Sequence, residues 1–157
     1  MSIVKAFRFP VSVHWYGGRL TRASAEGKPD LEVATPPEFK GGMAGVWSPE
    51  DLLVTAAASC YAVTLAAVAE RHGIQLRGLD VKGTGHVEQR DDGRFGFVAI
   101  ELRATLETDE AQVGAAERAA RQAKELCLVG SALDVPIHLE VAARGTELAP
   151  ATALARK

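Results

Sequence analysis

Ile3, Phe7, Phe9, Val11, Val13 and Trp15 share one parity, and Arg8, Ser12 and His14 the other. That period of two predicts a half-buried strand over residues 3–15. Pro10 has no amide proton to donate, so this strand belongs at a sheet edge or breaks there. Gly17-Gly18 reads as a turn, and Arg19 to Val33 as two short strands around Glu26-Gly27-Lys28. Thr35 to Val46 carries Pro36, Pro37, Gly41, Gly42 and Gly45 and is expected to be a long loop.

Polar punctuation then marks a helix start. Ser48 can cap, Pro49 suits the first helical position, and Asp51 completes an S-x-x-D box. The helix is expected to run to about Arg71, with Gly73 closing it. Farther on, Leu79, Val81 and Val87 alternate with Asp80, Lys82, His86 and Glu88, and Asp92-Gly93 suggests a hairpin turn. The return strand alternates through Val98, Ile100, Leu102, Ala104 and Leu106. Phe95 and Phe97 fit the opposite face, so a bulge is expected near Phe97. A second helix should open at Asp109, carry the stripe Val113, Ala116, Ala120, Ala123 and Cys127, and end at Gly130. Ile137, Leu139 and Val141 predict a last strand, with a loosely held tail over 145–157. Strands, helix, hairpin, helix, strand is an α+β order rather than a regular βαβ winding.

The length, 157 residues, suits one domain spanning 1–157. With 47% hydrophobic and 24% charged residues, the composition is that of an ordinary globular chain. A net charge of −2 offers no electrostatic footprint for nucleic acid. Lys5, Arg8 and Pro10 interrupt the first fifteen residues, so no signal peptide is expected and the cytoplasm is the expected compartment. Leu52 to Ala69 is uncharged for 18 residues, which meets the lower limit for a membrane span. Its alanine, serine and threonine content and its lack of Lys/Arg flanks favour a buried helix instead. A helix without charge around its whole circumference needs cover on every side, and one small sheet covers only one face. The rest must be buried by the second helix or by another copy of the chain; the second copy is the simplest cover, so a homodimer is expected.

Candidate chemistry begins with two cysteines, Cys60 and Cys127. A free cysteine is most often a buried, inert core residue. Two of them, one mid-helix and one at a helix end, are also the minimal kit for a reactive and a resolving thiol. The nucleophile is the thiolate, and Cys60 sits too deep in its helix, about 18 Å from the start, for that helix dipole to activate it. A cation must serve, and Arg19 and Arg22 after the Gly-Gly turn are candidates, though either could be a solvated surface residue. Glu50 could simply complement the helix dipole. It lies about 15 Å along the axis from Cys60, so the two cannot touch within one helix. A metal site built from both cysteines and a histidine lacks ligand spacing, and no metal or organic cofactor is expected.

Ser48-Pro49-Glu50-Asp51-Leu52-Leu53 followed by Ala57-Ala58-Ser59-Cys60 resembles the first signature of the OsmC/Ohr proteins (osmotically inducible protein C and organic hydroperoxide resistance protein). Glu125-Leu126-Cys127-Leu128-Val129-Gly130-Ser131-Ala132-Leu133 resembles their second cysteine motif. The resemblance runs from about Val11 to Val141. It implies antiparallel sheets packed around two main helices in an intertwined homodimer. It also implies a thiol peroxidase acting on organic hydroperoxides and more weakly on hydrogen peroxide. Carried over by position, Cys60 is the peroxidatic thiol, Cys127 the resolving thiol, Arg19 the arginine that holds the thiolate, and Glu50 the carboxylate that orients Arg19. Arg22 stands in for Arg19 if the register slips. An external dithiol would reduce the resulting disulfide. The competing expectation is a non-catalytic module that binds a hydrophobic small molecule in the dimer cleft, with both cysteines as core residues.

Overall fold

The computed structural model of the chain describes residues 5–147. They form two compact units that divide between Leu52 and Leu53. The first unit holds a three-stranded antiparallel sheet in the order β1 (Ser12–Gly17), β2 (Leu20–Ser24), β3 (Leu31–Ala34). Gly17 and Gly18, at φ 112° and 55°, make the tight β1–β2 turn that a side chain would strain. The expected strand over 3–15 is shorter than its pattern. It begins at Ser12, two residues after Pro10, and Ile3 lies outside the described residues. Nor is it half-buried. Val13 and Trp15 are 64% and 66% exposed, and Phe7, Phe9 and Val11 more so. Among the described residues no layer covers this apolar edge.

The loop over 35–46 is held by the Met43 amide donating to the Thr35 carbonyl at 2.9 Å. After it, α1 spans Pro49–Arg71. Its start follows the sequence signals closely. The Asp51 amide donates to Ser48 Oγ at 3.0 Å, and the Ser48 amide donates to Asp51 Oδ2 at 2.9 Å, a reciprocal capping box. Gly73 at φ 66° ends it.

The second unit carries a long hairpin, β4 (Leu76–Gln89) and β5 (Phe95–Asp109), turned through Gly93 at φ 81°. His86 faces Ala99 and Val87 faces Phe97, so Val98 is the extra residue of a bulge at the predicted place. β6 (Ile137–Thr146) joins this sheet parallel to β5. The second sheet is therefore mixed rather than purely antiparallel, because a helical crossover separates β5 from β6. Gly145 and Thr146 belong to β6, and Thr146 Oγ1 donates to the Thr108 carbonyl at 3.2 Å. That much of the expected loose tail is ordered strand, and residues 148–157 lie outside the described residues.

Two helix boundaries differ from expectation. Asp109 ends β5 and stands at the cap position of the helical turn that follows, but its carboxylate pairs with the Arg77 guanidinium at 2.6 Å and makes no capping hydrogen bond. A 3-10 turn, Glu110–Gln112, then leads into α2, Val113–Leu126. Gly130 does not close α2. Cys127 takes an extended conformation (φ −68°, ψ 111°), breaks the helix, and starts a short α3, Leu128–Ala132, that contains Gly130.

The core of the second unit lies between these layers. Tyr61, Leu65 and Val68 of α1 meet Ile100, Leu102 and Leu106 of β5 and the small face Ala116, Ala120 and Ala123 of α2. Alanines along α2 let it approach closely, so aliphatic burial on α1 and β5 supplies most of the apolar area.

Candidate active site

The fold brings Cys60 and Cys127 together. Cys60 projects, half-buried, from the middle of α1, and Cys127 is 4% exposed at the α2–α3 break. Cys60 Sγ accepts the Val129 amide at 3.5 Å, and Cys127 Sγ accepts the Gly130 amide at 3.4 Å. Both amides belong to the first turn of α3, where no intrahelical acceptor exists for them. The break at Cys127 thus does two things. It makes Cys127 the cap of α3, and it turns free N–H groups toward both thiols.

The two thiols are pushed in opposite directions. Desolvation raises Cys60, but hydrogen bonds from the Val129 amide, the Cys127 thiol, the Thr64 hydroxyl and the Leu128 amide outweigh it and hold Cys60 below the ordinary thiol value. Burial raises Cys127, and its neighbour Cys60 adds to that against the lowering effect of the Gly130 amide. A pair so arranged loses its first proton more readily from Cys60 than from Cys127. Tyr61, next along α1, is pushed up to about 12 by burial and, at the alkaline pH where Cys127 is ionised as well, by the charge of that thiolate. Its hydroxyl donates to the Ala120 carbonyl at 3.2 Å.

Arg19 and Glu50 fall in the first unit. Arg19 follows the Gly17-Gly18 turn and is exposed. The loop folds against its stem at Gly41, where an added Cβ would stand 3.2 Å from Arg19 Cγ. Among the described residues its guanidinium forms no ion pair, with Glu50 or any other carboxylate. Arg22 is already engaged. It faces Glu32 across β2–β3 at 3.6 Å and lies over the Tyr16 ring at 4.8 Å. Glu50 sits in the first turn of α1, with Oε2 buried and without a hydrogen-bond partner among the described residues.

Sequence reasoning missed the amide contribution to Cys60. It assigned all stabilisation of the thiolate to an arginine, whereas Val129 and Leu128 reach the sulfur through their backbone and Thr64 through its hydroxyl. Thr64 was legible, four residues on from Cys60 on the same helical face. The amides were not, since Cys127 continues the apolar stripe of α2 and hides the break. The histidines stand elsewhere: His14 edge-on to Tyr16, His72 beside Gln122, and His86 beside Glu101. Among the described residues no three His, Cys, Asp or Glu side chains cluster as a metal site would require.

Comparison with known proteins agrees with this architecture. The family model of OsmC-like proteins matches residues 42–142, which include both cysteines. Uncharacterized protein YmaD of Bacillus subtilis is 29% identical over 140 residues, covering 86% of this chain and 92% of its own. An OsmC-like protein of unknown function from Vibrio cholerae superimposes with a TM-score of 0.79 at 14% identity, over 87% of this chain and 100% of its own. An organic hydroperoxide resistance protein from Elizabethkingia anophelis does so with a TM-score of 0.72 at 19% identity, over 92% and 100% of the two chains. The α+β fold and a family match over more than half the chain lead to one conclusion: this protein belongs to the OsmC-like family.

Proposed function

We propose that the protein is a cysteine-based peroxidase that reduces organic hydroperoxides, and hydrogen peroxide more weakly. The observation that carries the proposal is the meeting of the two thiols at the first-turn amides of α3, which lower Cys60 while burial raises Cys127. The Cys60 thiolate attacks the terminal oxygen of the hydroperoxide. The O–O bond breaks, the alkoxide leaves and takes a proton as the alcohol, and Cys60 becomes a sulfenic acid. Cys127 then attacks the Cys60 sulfur, expelling water and forming a disulfide. An external dithiol reduces the disulfide and is itself oxidised. The chemistry needs no metal or organic cofactor.

In this reading Arg19 orients the peroxide and steadies the Cys60 thiolate, and Glu50 orients Arg19. The buried, unpartnered Oε2 of Glu50 and the guanidinium of Arg19, free of ion pairs among the described residues, are complementary groups. The working form is a homodimer in the cytoplasm. Its support is the apolar surface the single chain leaves open, including Trp15 on β1, Val63 on α1 at 67% and Leu128 on α3 at 72% exposure. α1 is long and apolar enough to cross a membrane by length and composition, yet one of its faces is built into the core of the second unit.

The test is thiol titration before and after one equivalent of cumene hydroperoxide, with mass spectrometry of the peptides. Two thiols per chain should disappear into a Cys60–Cys127 crosslink, and Cys60→Ser should abolish peroxide consumption. Wild-type consumption by Cys60→Ser would end the peroxidase reading. Two thiols surviving unchanged would favour a module that binds a hydrophobic ligand.

A further inference from the structure

Behind Cys127 lies a cavity of about 280 Å³ that opens to the surface. Ala57, Leu102, Val135 and Ile137 form apolar walls, and Lys124, Glu125 and Ser131 add polar groups, the two charges being of opposite sign. Cys127 is part of its wall and Cys60 is not. The volume falls just short of the roughly 300–1,000 Å³ usual for ligand sites, so it suits a narrow arm rather than a bulky molecule. We infer that the dithiol reductant enters through this cavity and attacks Cys127 Sγ, so that Cys60 is the sulfur expelled.

The inference rests on the proposed Cys60–Cys127 disulfide and concerns which of its two sulfurs is attacked. Exposure alone argues the other way, since Cys60 is half-buried and Cys127 almost fully buried. Two features reverse that preference. Cys127 lines the cavity and Cys60 does not, so a thiol arm seated there lies against Cys127. The better leaving group is also Cys60, because the Val129 and Leu128 amides and the Thr64 hydroxyl stabilise it as thiolate, and a lower-pKa thiol leaves faster in exchange.

The steps balance. One thiolate of the reductant bonds to Cys127 Sγ, the protein S–S bond breaks, and Cys60 departs as thiolate. The second thiolate of the reductant then attacks its own sulfur in the mixed disulfide, and Cys127 leaves and takes a proton. The reductant departs as a cyclic disulfide, oxidised by two electrons, and the two protein sulfurs are reduced by two.

The experiment uses wild-type protein oxidised with diamide, which makes the disulfide independently of peroxide chemistry. A short pulse of 2-mercaptoethanol is quenched with acid, free thiols are alkylated, and peptide mass spectrometry locates the adduct. The mixed disulfide is expected on Cys127, with Cys60 alkylated. An adduct on Cys60, or an even split, overturns the inference. As a second measurement, Ser131→Phe, which fills the cavity, should slow reduction of the disulfide by dithiothreitol at least tenfold. A rate within twofold of wild type overturns it as well. A crosslink formed by diamide but not by cumene hydroperoxide would sink the peroxidase reading alone, and a protein that neither oxidant crosslinks would sink both.

Discussion

Gly85, on β4, is where the hairpin makes room for its own side chains. An alanine Cβ there would stand 2.6 Å from Phe97 Cε1 and 2.7 Å from Val54 Cγ2, whereas carbon atoms rest at about 3.5–4.0 Å. Neither neighbour gives way freely. Val54 is branched at Cβ and stiff, and the Phe97 ring is packed against the core. Replacing glycine by alanine normally gains about 0.4–1 kcal/mol by restricting the unfolded chain. Overpacking costs about 1–3 kcal/mol, so the clash dominates and Gly85→Ala should lose about 1–2 kcal/mol. At about 2–4 °C per kcal/mol for a chain of this size, the melting temperature should fall by about 2–8 °C. The assay is thermal unfolding by circular dichroism at matched protein concentration, since association would shift the midpoint. Adding Phe97→Leu removes the ring and should recover at least half of the loss relative to Phe97→Leu alone, a coupling that a double-mutant cycle isolates. A Gly85→Ala protein as stable as wild type, or more so, would show that the strand and α1 are not closely apposed here and would refute the packing argument.

Three further outcomes are expected. Ser48→Ala removes the Oγ that accepts the Asp51 amide and should cost about 1 kcal/mol, read as a lower urea midpoint; an unchanged midpoint contradicts the capping assignment. Cys60 should react with iodoacetamide at lower pH than Cys127, because one thiol is lowered and the other raised; the reverse order would undo the division of roles. In stability, the Cys60 contribution is present above the unfolded thiol pKa and lost as pH falls through its folded value, and the Cys127 contribution is present below it and lost as pH rises through its folded value. Tyr61, raised to about 12, contributes stability below the ordinary tyrosine pKa of about 10 that is lost as pH climbs toward its folded value; an ultraviolet phenolate titration should contain a late step that Tyr61→Phe deletes.

Local signals carried far in this chain. The Ser48–Asp51 box, Gly73 after α1, the turn at Gly93 and the bulge beside Phe97 were all legible because each depends on residues a few positions apart. The motifs around Cys60 and Cys127 were legible as a resemblance, and the family match over 42–142 agrees with it. Where expectation failed, a local pattern was overruled. Cys127 fits the helical stripe of α2, yet its extended backbone ends that helix and begins another. Asp109 does stand at the cap position, but its carboxylate pairs with Arg77, 32 residues earlier, in place of a capping hydrogen bond. Alternation over residues 3–15 marks an apolar edge, and alternation by itself does not supply the layer that would bury it.

The sequence by itself determined most of the elements that form, α3 excepted, since caps, turns and periodicity act within a few residues along the backbone. It also determined that two thiols and few other groups were available for redox chemistry. Only the tertiary structure decided that β6 runs parallel to β5, that Cys60 and Cys127 meet across 67 positions, and that α3 turns its first amides onto their sulfurs. Those outcomes depend on how α1, the β4–β5 hairpin and the α2–α3 crossover pack around one core. Packing brings residues distant in the chain within hydrogen-bond reach, and no local pattern records which of them will meet.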